Sequence, residues 1–130
     1  MQPRSAALLL LLLSVTAGCL GFDQRSDIPD PDKQLELRND WNQTVTVGVE
    51  VIRNATNATV HRGSYEIEPN TQRAVYSTAK ANPEGAEYFR FVLTARNTTV
   101  QETIRTSTCY GGPVLEIAAD GTVSSHYSVC

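Results

Sequence analysis

The sequence is poor in cysteine, histidine, methionine and lysine: three Cys, two His and one Met occur in 130 residues. Nine of the eleven basic residues are Arg, and only Lys33 and Lys80 are Lys. Each scarcity closes off a chemistry. Zinc needs four ligands, but the histidines are His61 and His126 alone and no C-x-x-C pair exists to complete a set. A copper site of the cupredoxin kind needs two His, a Cys and usually an axial Met, and the single methionine is Met1. No basic patch stands out and the net charge is -3, so nucleic acid is not expected as a partner. No G-x-S-x-G elbow is present to activate a serine, so Ser124, Ser125 and Ser128 around His126 read as the polar face of a strand, and His61 beside a polar loop reads the same way. The expectation is a chain that is not an enzyme and carries no metal and no cofactor.

What the chain does have begins with an address. Arg4 supplies a positive charge, Ala6 to Val15 an apolar run too short to span a bilayer, and Thr16-Ala17-Gly18 a small-residue cleavage neighbourhood, so residues 1–18 read as a signal peptide. The run Val15-Thr16-Ala17-Gly18-Cys19 resembles the lipobox of lipoprotein signal peptides. That resemblance implies lipidation at Cys19, which would become the mature N-terminus. Cysteine arithmetic agrees, because Cys109 and Cys130 form an even pair in a chain bound for an oxidising compartment. Their bond would close a loop of roughly 20 residues, worth about 3 kcal/mol in the chain-entropy account. Cys109-Tyr110-Gly111-Gly112-Pro113 then reads as turn chemistry next to a structural disulfide rather than as a redox loop.

From Cys19 to Lys33 the chain reads as a flexible acidic linker, "LGFDQRSDIPDPDK" after the cysteine, with no apolar periodicity. Asp27, Asp30 and Asp32 do not make a calcium loop, because Pro31 interrupts them and no Gly and distal Glu follow in place. Four N-x-Thr sequons mark candidate glycosylation sites at Asn42, Asn54, Asn57 and Asn97, the middle two in one polar loop.

Residues 34–130 form the expected folded domain. Leu35 and Leu37 open a short strand, and Val45, Val47, Val49 and Val51 alternate with Thr46 and Glu50 in the strongest period-two run. Further strands are expected over 60–68, 73–76, 87–95 and 99–106, with a longer connection between 77 and 85. Phe89, Phe91 and Leu93 share one face of a central strand. Val114 to Ala119 and Val123 to Val129 flank Asp120-Gly121, which suits a two-residue type I′ turn, so Cys130 returns to the level of Cys109. Trp41 lies in the turn-like "RNDWNQ" and is expected over an end of the domain. The fold class is all-β: an antiparallel, immunoglobulin-like sandwich of seven to eight strands.

The lipobox, the acidic tether, the strand series and the terminal "CYGGPVLEIAADGTVSSHYSVC" resemble small haloarchaeal secreted lipoproteins with immunoglobulin-like or related β-sandwich domains, as does the Arg-for-Lys skew. The resemblance implies location and fold: export, and display on the outer face of the cell membrane through a lipid anchor. The expected role is a binding or structural module of the envelope that meets another surface protein or a glycan. The alternative is an accessory subunit or small-ligand carrier of a surface transport or enzyme complex, which would need a concave apolar pocket. Tyr65, Tyr76, Tyr88, Tyr110 and Tyr127 suit either a protein-binding patch or the filling of sandwich faces and ends, and the sequence does not separate the two.

Overall fold

The computed structural model describes residues 28–130; the expected signal peptide, Cys19 and the expected linker through residue 27 lie outside the described residues. Eight strands follow: β1 (Gln34–Asn39), β2 (Val45–Arg53), β3 (Ala58–Ile67), β4 (Thr71–Ser77), β5 (Tyr88–Ala95), β6 (Thr98–Arg105), β7 (Val114–Ile117) and β8 (Val123–His126). They form two four-stranded sheets, ordered β4-β1-β7-β8 and β3-β2-β5-β6. The chain is therefore a β-sandwich. Among the described residues a single 3₁₀ turn, Thr78–Ala81, interrupts the strands, inside the connection expected to be irregular.

Alternation along each strand builds the core. Val45, Val47, Val49 and Val51 of β2 and Phe89, Phe91 and Leu93 of β5 are at most 4 % exposed and face Leu35, Leu37, Leu115 and Ile117 of the opposite sheet. β5 lies between β2 and β6 and is central, as its apolar residues require. All strand pairs are antiparallel except β1 and β7, which run parallel, Leu37 beside Leu115. Parallel neighbours need a long crossover, and here the chain between them builds the whole second sheet and β4.

Three details correct the sequence reading. The β7–β8 turn is not a two-residue type I′ turn: only Gly121 of the Asp120-Gly121 pair has positive φ, at 85°. The Gly121 N–H donates to the Ala118 carbonyl and the Ala118 N–H to Thr122, so the loop holds three residues with glycine in the left-handed position. The type I′ geometry occurs instead between β5 and β6, where Arg96 and Asn97 have φ of 49° and 61° and Ala95 pairs with Thr98.

The third correction concerns residues 28–33, expected as the end of a flexible linker. They are docked. Pro29 bridges Ser107, the Asp30 N–H donates to Thr106 and the Thr108 N–H to Ile28. Lys33 is buried, its Nζ donating to Asp30 Oδ2 at 2.7 Å and to the Tyr110 carbonyl at 2.6 Å. Asp32 accepts from Ser77 Oγ at 2.5 Å. The acids that look solvated in the sequence are the partners that make burial of this lysine and hydroxyl tolerable.

Register sorts the loops into two ends. Asn39–Gln43, the β3–β4 turn, the Arg96-Asn97 turn and the β7–β8 turn share one end, here the far end. Residues 28–33, the β2–β3 loop with Asn54 and Asn57, the connection before Tyr88, and residues 106–113 and 127–130 share the other, the tether end.

Candidate functional site

At the tether end, Cys109 and Cys130 are bonded, with Cα atoms 5.1 Å apart. Tyr110 pairs with Val129 in an isolated antiparallel bridge and the Cys130 N–H donates to the Cys109 carbonyl at 3.0 Å, so the disulfide closes the open end of the β7–β8 hairpin. The glycine beside it is dictated by backbone: a Cβ on Gly112 would lie 1.9 Å from the Gln34 carbonyl oxygen, where β1 begins.

Three of the five tyrosines meet around this disulfide. Tyr110 stacks on Tyr127 with ring centroids 5.9 Å apart and meets Tyr88 edge-on at 6.4 Å. The Arg105 guanidinium lies 5.6 Å from the Tyr88 ring. Burial, reinforced by the neighbouring Tyr88 hydroxyl, holds the Tyr110 phenol above its ordinary range. Tyr88, Tyr127, Val129 and Ile28 are the four large apolar side chains left exposed among the described residues, at 41, 37, 56 and 48 %. All four belong to this end, Ile28 through its backbone bond to Thr108 and Val129 through its bridge to Tyr110. The result is an aromatic and aliphatic surface with the Arg105 guanidinium against the Tyr88 ring.

The other two tyrosines form a separate cluster on β3 and β4. His61 stacks on the buried Tyr76 at 4.4 Å, and its Nε2 is 2.8 Å from Tyr65 Oη. Burial, and after it the charge of Lys80, hold the His61 imidazole below its usual range. This is packing at a sheet edge. His126 is exposed, while Ser125 Oγ donates to Glu102 Oε1 at 2.6 Å. Among the described residues no three His, Cys, Asp or Glu side chains come together in a metal-binding group, and no helix is long and apolar enough to cross a membrane.

The sequon asparagines are all exposed. Asn54 and Asn57 lie in the β2–β3 loop, where Oδ1 of each accepts from the Arg90 guanidinium at 3.4 Å, a contact the sequence does not announce. Asn42 and Asn97 lie at the far end. There Trp41, packed against the core as expected, carries Arg96 stacked 3.9 Å over its ring, and Arg96 Nη1 donates to the Gly121 carbonyl. Asn39, fully buried, fixes this end: its Nδ2 donates to the Gln43 and Ile67 carbonyls at 2.7 and 3.0 Å and its Oδ1 accepts from the Trp41 N–H at 3.0 Å.

Cys19 lies outside the described residues, so its lipidation is not placed. The space between the sheets is filled by core side chains. The surface clefts are small and polar-rimmed, one of about 240 Å³ being lined by Arg53, Ala55, Thr56, Glu84 and Glu87. Compared with protein families, with curated proteins and with solved structures, the chain matches none.

Proposed function

We propose that this chain is an exported lipoprotein of the kind found on haloarchaeal cells, anchored through lipid on Cys19 to the outer face of the membrane. It displays a β-sandwich that binds another surface protein or a glycan and performs no catalysis. The observation that supports this reading is the partition of the cysteines. Cys109 and Cys130 are bonded to each other, which leaves Cys19, at the end of the lipobox-like run, without a partner in the chain. The four exposed sequons fit an extracellular surface and are its candidate glycan positions. A small-ligand carrier needs a concave apolar hollow, and the filled interior with charged cleft rims favours the binding module over it.

Intact mass of the native protein from the membrane fraction tests the anchor. A chain beginning at Cys19 with a lipid-sized excess is expected, and an unmodified, freely soluble chain overturns it. Crosslinking in intact membranes followed by capture tests the binding role. Recovery of one surface protein or glycan above background is expected, and recovery of none counts against it.

A further inference from the structure

We infer that the tether end of the sandwich is a membrane-seating face, with Ile28, Tyr88, Tyr110, Tyr127 and Val129 resting in the headgroup region of the same bilayer that holds Cys19. This rests on the anchor reading above and adds to it an orientation and a second contact with lipid.

Three observations converge. The first is placement: the four exposed large apolar side chains of the described residues, spread from position 28 to 129 in sequence, are gathered by the fold at one end. A soluble surface scatters such groups, and a contiguous set marks a contact. The second is reach. Eight residues separate Cys19 from Ile28, and the nine steps between them span at most about 30 Å. Ile28 is the described residue nearest to Cys19 in sequence, so a lipid on Cys19 keeps the Ile28 end within that reach of the headgroups. The third is chemistry: tyrosines with an apolar body and a polar hydroxyl suit the membrane–water boundary.

Among the acids at this end, Asp30 is held by Lys33, Asp32 by Ser77 and Gln34, and Glu87 by Arg53, while Glu84 is exposed in the cleft lined by Arg53 and Thr56 on the β2–β3 side. The loop carrying Asn54 and Asn57 lies at the same end but on the β2–β3 side, whereas Tyr110, Tyr127 and Val129 lie on the β7–β8 side, so glycans there flank the face. Seating this end turns Trp41, Arg96, Asn42 and Asn97 outward.

Trp41 is the single tryptophan and sits at the far end, which supplies an internal reference. The full, natively processed chain and its Tyr127→Trp and Val129→Trp variants would be reconstituted in phosphatidylcholine–phosphatidylglycerol vesicles carrying bromine on the upper acyl chain. Intact mass would be recorded on the same samples. The added indoles are expected to be quenched roughly twofold, as for groups lying about 5–10 Å into the headgroup boundary, and native Trp41 not at all. Lipid on Cys19 with added indoles no more quenched than Trp41 overturns the seating face and leaves the anchor standing. Quenching without lipid overturns the anchor and leaves the face. Neither signal removes both. The two variants sit on separate segments at exposed positions, so loss of folding in one leaves the other to decide.

Discussion

At the far end of the sandwich Arg96 stacks 3.9 Å over Trp41 and bonds Gly121, while the buried Asn39 ties the Trp41 loop to Gln43 and Ile67. At the tether end Tyr88, Tyr127, Ile28 and Val129 keep 37–56 % of their surface exposed around a disulfide. The far end spends its aromatic and polar groups on itself. The tether end is held by the disulfide, the docking of residues 28–33 and the Tyr110–Val129 bridge, while Tyr88, Tyr127, Ile28 and Val129 keep much of their surface outside these contacts. Groups that stabilise the fold and groups that contact another surface are therefore separated by the length of the strands.

The sharpest way to break this contrast is to remove the covalent hold. Replacing Cys109 and Cys130 together by Ser should cost about 3 kcal/mol for a loop with a separation of 21 residues. Denaturant unfolding would show it as a lower midpoint. A loss near zero would mean that the Lys33 contacts and the Tyr110–Val129 bridge hold the tether end without it.

Asn39→Ala should follow at about 2 kcal/mol, because two carbonyls and the Trp41 N–H lose their partner in a buried site. The same unfolding curves check it. Arg96→Ala should cost about 1 kcal/mol through the lost stacking and Gly121 contact, and Arg96→Lys should recover only part, since a point charge does not stack as a planar fork does. By contrast Val129→Ser, at a residue 56 % exposed, should move stability by no more than about 0.5 kcal/mol while weakening the membrane contact. That pairing of outcomes, read from unfolding and vesicle quenching on one variant, sharpens the contrast between the ends.

The smallest expected effect is on pH. Burial keeps the His61 imidazole below its ordinary range, so the folded chain binds this proton less tightly than the unfolded chain does. The stability this lends is complete above about pH 6.5 and is lost as pH falls through the lowered value. A slight fall in Tm from about pH 7.5 to 5.5, above the carboxylate range, is expected, and His61→Gln should flatten it.

Much of the sandwich was legible because its signal is local. Val45 to Val51 and Phe89 to Leu93 alternate visibly, since one face of each strand is buried, and the pairing of Cys109 with Cys130 follows from a count of cysteines. Turn types were less legible. Asp120-Gly121 suits both a two-residue turn and a three-residue loop with glycine left-handed, and the register of Ile117 against Val123 chose the second. Arg96 at positive φ defies expectation for a bulky residue, and its stacking on Trp41 offsets the strain. The docking of residues 28–33 was hidden because acids and prolines read as solvated tether until Lys33 and Ser77 are seen to need partners. The tyrosine cluster was hidden for a topological reason: Tyr88, Tyr110 and Tyr127 lie on different segments, and only the strand order gathers them while sending Tyr65 and Tyr76 elsewhere.

The central claim, that one end of the domain meets the membrane and the other meets the surroundings, is tested most directly by hydroxyl-radical footprinting of the native chain in its own membrane and again in detergent-free aqueous release after proteolysis of the tether. Tyr88, Tyr127 and Val129 should be protected in the membrane and labelled after release, while Trp41 should be labelled equally in both. Equal labelling of the tether-end residues in the two states, or protection of Trp41 in the membrane, would contradict it.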